Sequence, residues 1–136
     1  VSGDAWLDRE WSSQPLAEDQ SGWDWFSLSF DDGARLMGFR LRGAQDFTSA
    51  TWIAPDGTPE PQPPGALRLT PLREARVAGR DIPVDWRLEL PAKGLDIETR
   101  AMNDAAWNAL SIPYWEGPVA ATGTHSGKGY LEMTGY

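Results

Sequence analysis

Gly22-Trp23-Asp24-Trp25-Phe26-Ser27-Leu28-Ser29-Phe30 and Ala34-Arg35-Leu36-Met37-Gly38-Phe39-Arg40-Leu41-Arg42 are two alternating runs on either side of Asp31-Asp32-Gly33. An Asp-Gly pair between such runs is the strongest short-range signal for a β-hairpin. With Asp32-Gly33 as a two-residue turn, Asp31 faces Ala34. Trp25 then stands opposite Arg40, Trp23 opposite Arg42, Phe26 opposite Phe39 and Leu28 opposite Met37. One face is apolar (Phe26, Leu28, Met37, Phe39, Leu41). The other sets Trp23 and Trp25 beside Arg40 and Arg42, where stacking of ring on guanidinium is worth about 0.5–1 kcal/mol per exposed pair.

The remaining chain reads as further strands arranged around this hairpin. Ala5 to Trp11 is a first strand, with Trp6, Asp8 and Glu10 on one face and Leu7, Arg9 and Trp11 on the other. Ser12 to Ser21 is a polar loop. Thr48 to Ile53 is β-branched and aromatic, and Pro55-Asp56-Gly57 turns it back. Four prolines between Pro59 and Gly65 point to a surface loop. Leu67 to Thr70 is a short strand interrupted by Pro71. Val84 to Leu90 alternates cleanly, with Val84, Trp86, Leu88 and Leu90 inward. Pro91 to Gly94 is a turn, and Leu95 to Arg100 alternates again with Leu95 and Ile97 inward. Asn103 to Asn108 is the one candidate helical turn. Pro113 to Gly123 is extended, and Lys128 to Tyr136 is the last strand. Eight to ten short strands with turn signals between them predict an all-β, antiparallel sandwich or barrel. Small barrels of this kind can hold one small ligand.

The length of 136 residues fits one domain, residues 1–136. A net charge of −8 argues against nucleic acid as partner and leaves no polybasic patch for anionic lipid. The absence of cysteine excludes disulfides, thiol catalysis and zinc–thiolate sites. No apolar run is long enough for a transmembrane helix, and no signal peptide is read. The start at Val1 runs straight into a strand, which predicts a fragment of a longer protein. Eight tryptophans are many for this length, and they are spread over most of the strands. They fit either a small core built from large side chains or a cavity for an apolar ligand.

Several stretches together resemble one family from end to end. They are Gly3-Asp4-Ala5-Trp6-Leu7-Asp8-Arg9-Glu10-Trp11-Ser12-Ser13, Gly22-Trp23-Asp24-Trp25-Phe26, and Asp32-Gly33 through Leu36-Met37 to Leu41-Arg42. Tyr114-Trp115-Glu116-Gly117 and Gly129-Tyr130-Leu131-Glu132-Met133-Thr134-Gly135-Tyr136 complete the set. The chain looks like the C-terminal half of the lipocalin-like proteins related to carotenoid 1,2-hydratase, nearest to the bacterial AttH-like branch often labelled predicted hydrolases. The resemblance implies a lipocalin-like antiparallel β-barrel preceded by a second, N-terminal lipocalin-like barrel in the same protein. It also implies an apolar, isoprenoid- or polyketide-like substrate, no bound cofactor, and a periplasmic or secreted location.

Hydrating an isolated alkene needs a carboxylic acid of raised pKa, a means of stabilising the cation, and a placed water. Asp8, Glu10 and Asp24 are the candidate acids. Trp6, Trp11, Trp23, Trp25, Phe39, Arg40, Trp86 and Trp115 are the candidate ligand-binding residues, since tryptophan faces attract cations. Asp8 and Glu10 share a face of their strand and could instead pair with Arg40 or Arg42 in a buried network; Asp24 could cap a backbone group. The strand Leu36 to Leu41 is apolar apart from Arg40, which departs from a hydratase pattern. His125, the one histidine, is expected in an exposed Gly/Ser/Thr-rich turn with no second histidine or cysteine, so no metal is expected. Gly-x-Ser-x-Gly is absent, which leaves the hydrolase label without support. The leading expectation is binding or carriage of a hydrophobic small molecule. The alternatives are a cofactor-independent hydratase or isomerase and a structural partner for the preceding barrel.

Overall fold

Strands β1 (Gln20–Phe30) and β2 (Arg35–Gly43) pair as an antiparallel hairpin in the computed structural model, which describes residues 2, 5, 7 and 16–136. Their register corrects the expected one. Trp25 stands opposite Phe39, Asp24 opposite Arg40, Trp23 opposite Leu41, Phe26 opposite Gly38 and Leu28 opposite Leu36. The connection has three residues rather than two. The Phe30 N–H donates to Ala34 O (2.9 Å) and the Gly33 N–H to Phe30 O (3.0 Å), while Asp32 Oδ1 accepts from the Ala34 N–H (2.9 Å). Gly33 takes φ +89°, the left-handed position that such a loop requires.

Side chains alternate with period two, so a slip of one residue sends every expected partner to the opposite face. The inner face therefore carries Asp24, Phe26, Leu28 and Phe30 with Ala34, Leu36, Gly38 and Arg40. Trp23, Trp25, Met37, Phe39 and Leu41 lie half-buried on the outer face. Trp23 and Trp25 do not share a face with Arg40 and Arg42.

The remaining elements are β3 (Phe47–Ile53), β4 (Pro59–Pro61), β5 (Arg68–Val77), β6 (Arg80–Leu90), a 3₁₀ turn (Pro91–Lys93), β7 (Leu95–Ala101), β8 (Trp107–Asn108), β9 (Tyr114–Gly123) and β10 (Gly127–Thr134). The alternations expected for β6 and β7 hold, with Val84, Trp86, Leu88 and Leu90 at 0% exposure and Leu95 and Ile97 buried. Three expectations are corrected. The proline-rich stretch contributes the edge strand β4, where a missing N–H donor costs little. β5 continues through Pro71 to Val77, because it too is an edge strand and shifts register around Arg73. Asn103 to Asn108 is a turn followed by β8, not helix; Asn103 Oδ1 accepts the Ala105 N–H (3.1 Å), and Trp107 pairs with Trp115. The expected strand Ala5 to Trp11 lies outside the described residues.

All the described strands belong to one antiparallel sheet of order β4-β3-β2-β1-β10-β9-β7-β6-β5, with β8 attached to β9. The sheet is two meanders, β1–β4 and β5–β10, joined where β1 pairs with β10. Its two edges, β4 and β5, are consecutive in the chain. The seven steps from Pro61 to Arg68 can span at most about 25 Å. A flat sheet would put those edges roughly 38 Å apart, at about 4.8 Å per strand. The sheet must therefore curl until its edges approach, although β4 and β5 are not paired with each other.

Side chains on the concave face confirm the curl. Phe26 of β1 meets Trp86 of β6 edge-to-face at 5.8 Å. Leu67, on the connection between the edges, is buried against Gly38 of β2. Lys93, after β6, pairs with Glu60 of β4. The enclosed interior is filled by apolar side chains, including Phe26, Leu28, Leu36, Trp86, Trp115, Leu131 and Met133 at 0% exposure. The architecture is an all-β, lipocalin-like curled sheet.

Candidate functional site

Two arrangements on this frame carry chemistry. The first is a buried polar cluster at one end of the inner face. Asp24 is completely buried. Its Oδ2 accepts from Arg40 Nε (2.8 Å) and pairs with Arg40 Nη2 (2.7 Å), and its Oδ1 accepts from the Tyr136 hydroxyl (2.6 Å). Arg42 Nε lies 3.4 Å from Oδ2, within ion-pair reach but without a hydrogen bond of its own. The Arg42 guanidinium covers the Tyr136 ring at 3.9 Å and donates to Thr134 O. Arg40 also lies over the Trp86 ring at 5.2 Å. Burial works against the Arg40 charge, but the attraction of Asp24 outweighs it and holds the guanidinium above its ordinary pKa. Burial, reinforced by the Asp24 charge, pushes the Tyr136 phenol up. Both Asp24 oxygens are committed, so this cluster has the chemistry of a lock that ties β1, β2 and the end of the chain.

The second arrangement is a groove of about 660 Å³ on the outer face of β1, β2, β9 and β10. It lies over three transverse rows of paired residues, whose members all line it except Met37, Phe39 and Glu132. The first row is Arg35, Ser29 and Lys128. The second is Met37, Ser27, Tyr130 and Pro118. The third is Phe39, Trp25, Glu132 and Glu116. Met102, just after β7, and Ala5 add to the walls. Tyr130 is 50% and Met102 60% exposed, so large apolar groups stand open to the groove. Beside the third row, Trp23 Nε1 donates to Glu132 Oε1 (2.6 Å).

The residues singled out from sequence are thus dispersed. Trp25 lines the groove; Trp23 and Phe39 lie on the same outer face but are not part of its lining. Arg40 and Asp24 belong to the buried cluster. Trp86 and Trp115 are core residues whose indole N–H groups donate to Pro83 O (2.9 Å) and Asp104 O (2.8 Å). Trp6, Asp8, Glu10 and Trp11 lie outside the described residues. The expected pairing of Asp8 and Glu10 with Arg40 or Arg42 falls outside the described residues; the acid that meets these arginines is Asp24, which caps no backbone group but is held by their side chains and Tyr136. His125 is not an exposed turn residue; its ring packs at 5.3 Å from Phe30 and 5.6 Å from Trp52. Sequence reading missed Ser27, Ser29, Arg35, Met102, Lys128 and Tyr130. The one available signal was the pair of small serines interrupting an otherwise aromatic strand.

Among the described residues no group of three or more His, Cys, Asp or Glu side chains is placed to hold a metal ion, and no helix is long and apolar enough to cross a membrane. The family model for AttH-like proteins matches residues 1–136. The chain is also similar to the crystal structure of a Nitrosomonas europaea protein labelled as AttH. The TM-score is 0.82 at 31% identity, over 93% of this chain and 42% of that one. The chain thus spans less than half the length of that relative. No curated protein matches it.

Proposed function

The chain belongs to the AttH-like family, and from that membership and the outer groove we propose that it binds a hydrophobic small molecule on the convex face of its sheet. The groove carries this reading. Its volume of about 660 Å³ falls within the range of small-molecule sites, and Trp25, Tyr130, Met102 and Pro118 give it an apolar, partly aromatic lining. The interior, by contrast, is occupied by side chains, with Trp86 and Trp115 at 0% exposure. Asp24 has both oxygens engaged, which supports a structural role for it over proton donation to an alkene. In the same reading the chain acts as one barrel of a longer, secreted or periplasmic protein; the greater length of the Nitrosomonas relative is in keeping with this.

The test is a titration of the intrinsic tryptophan emission with farnesol. Saturable binding in the micromolar range, about −8 kcal/mol, is expected. Trp25→Ala should weaken it at least tenfold. Equal affinity in that variant would move the site elsewhere. Failure of the folded protein to bind any of several apolar probes would end the reading.

A further inference from the structure

We infer that the ligand of this groove is a long-chain amphiphile with one anionic head, carboxylate or phosphate, held at the row Arg35–Ser29–Lys128. The inference rests on the groove being the binding site and adds the polarity of its occupant. Carboxylates outnumber cationic side chains 20 to 12 in this protein, and most of the cations are paired. On the outer face of β5–β7, Arg68 meets Glu89 (2.9 Å), Arg73 meets Asp85 (2.6 Å) and Arg87 meets Asp96 (2.7 Å). Arg40, Arg42, Arg76 and Lys93 are paired as well. Arg35 and Lys128 have no such partner among the described residues. The Arg35 guanidinium donates only to the backbone, at Gly33 O (3.2 Å). Two uncompensated cations on either side of a serine hydroxyl, on one sheet face and lining one groove, form a receptor for an anion.

The other end of the groove fixes the ligand's direction. Glu132 and Glu116 are direct cross-strand partners, and Glu116, which lines the groove, disfavours an anionic head there. They stand four residues along the strand from Ser29 and Lys128, roughly 14 Å away. That exceeds the screening distance of about 8–10 Å at physiological salt, so the acidic end does not neutralise the basic one. Between them lie Tyr130 and Pro118, and at the far end Trp25, an apolar track for the tail. A head at one end and an apolar body about 14 Å long describe a medium-chain fatty acid or a prenyl phosphate.

The experiment compares dodecanoate with dodecanol, and each with inorganic phosphate and acetate, by tryptophan emission on the folded protein. Dodecanoate should bind at least tenfold tighter than dodecanol. Arg35→Gln combined with Lys128→Gln should remove that preference, bringing dodecanoate to the affinity of dodecanol. Raising the salt should weaken dodecanoate alone; this arm needs no variant, and Lys128→Gln by itself, at an exposed position, guards against misfolding of the pair. Equal affinity for acid and alcohol, or a preference that survives both substitutions and salt, overturns the anionic head while the groove stands. Inorganic phosphate or acetate binding as tightly as dodecanoate overturns the amphiphile. If neither chain binds, the groove reading and this inference fall together.

Discussion

Asp24 shows how one residue can set the register of a hairpin. A carboxylate on the same face as Phe26 and Leu28 goes into the interior with them, and a buried charge must be paired. Only the register that turns Arg40 and Arg42 inward supplies the partner. That argument was available from sequence. The Asp-Gly signal is silent on whether the turn has two residues or three, and the apolar series Met37, Phe39, Leu41 imitates a core face. Tyr136 completes the cluster, and its raised pKa gives a signed prediction. An unfolded tyrosine ionises near pH 10, while the folded phenol keeps its proton to higher pH. The stability this contributes is complete below about pH 10 and is lost as pH rises from there through the folded value. Tyr136→Phe should cost about 1.5–3 kcal/mol near neutral pH, from the lost hydrogen bond to a charged acceptor. It should also remove this residue's share of the alkaline decline. Urea titrations near pH 7 and near pH 11 check both; an unchanged alkaline slope would count against the Tyr136–Asp24 bond.

Among the elements, the β1–β2 and β3–β4 hairpin loops repeat one design. Asp56 Oδ1 accepts the Thr58 N–H (2.9 Å) and Gly57 sits at φ +88°, as Asp32 and Gly33 do in the first loop. Forcing a β-carbon into that conformation costs about 1–2 kcal/mol. Gly57→Ala meets nothing within 4 Å and should show that cost alone, whereas Gly33→Ala also brings a Cβ to 3.3 Å from Pro55 and should cost more. Denaturant midpoints of the two variants rank them; equal midpoints would remove the contact from the account. At this scale β6 and β7 were readable, because strict alternation over an aliphatic core leaves one assignment. β5 beyond Pro71 was not, because proline's veto applies to central strands and relaxes at an edge that the sequence does not reveal. The groove escaped for a related reason. Its rows draw on β1, β2, β9 and β10, and only the sheet order brings Arg35 and Lys128 to either side of Ser29.

For the whole molecule, the barrel class was readable from strand count and turn spacing, but not the place where the two meanders meet. Each meander alone would leave its concave face uncovered, since Phe26 and Leu28 come from one and Trp86 and Leu131 from the other. Cleavage of the chain between Pro64 and Gly65, both exposed, should therefore give two fragments that are unfolded apart and regain a β-type circular dichroism spectrum when mixed. A fragment that folded cooperatively by itself would refute this division of the core. The β1–β10 junction also bears on how the protein is made. Trp23 and Glu132 are 109 positions apart. At a synthesis rate of about 5–20 residues per second, β1 waits roughly 5–20 s outside the ribosome for its neighbour. Throughout that interval the nascent chain presents a β1–β2 ribbon with one unpaired edge and an apolar side open to water, the kind of surface that holdase chaperones cover. Joining of the two meanders is tied to the emergence of β10.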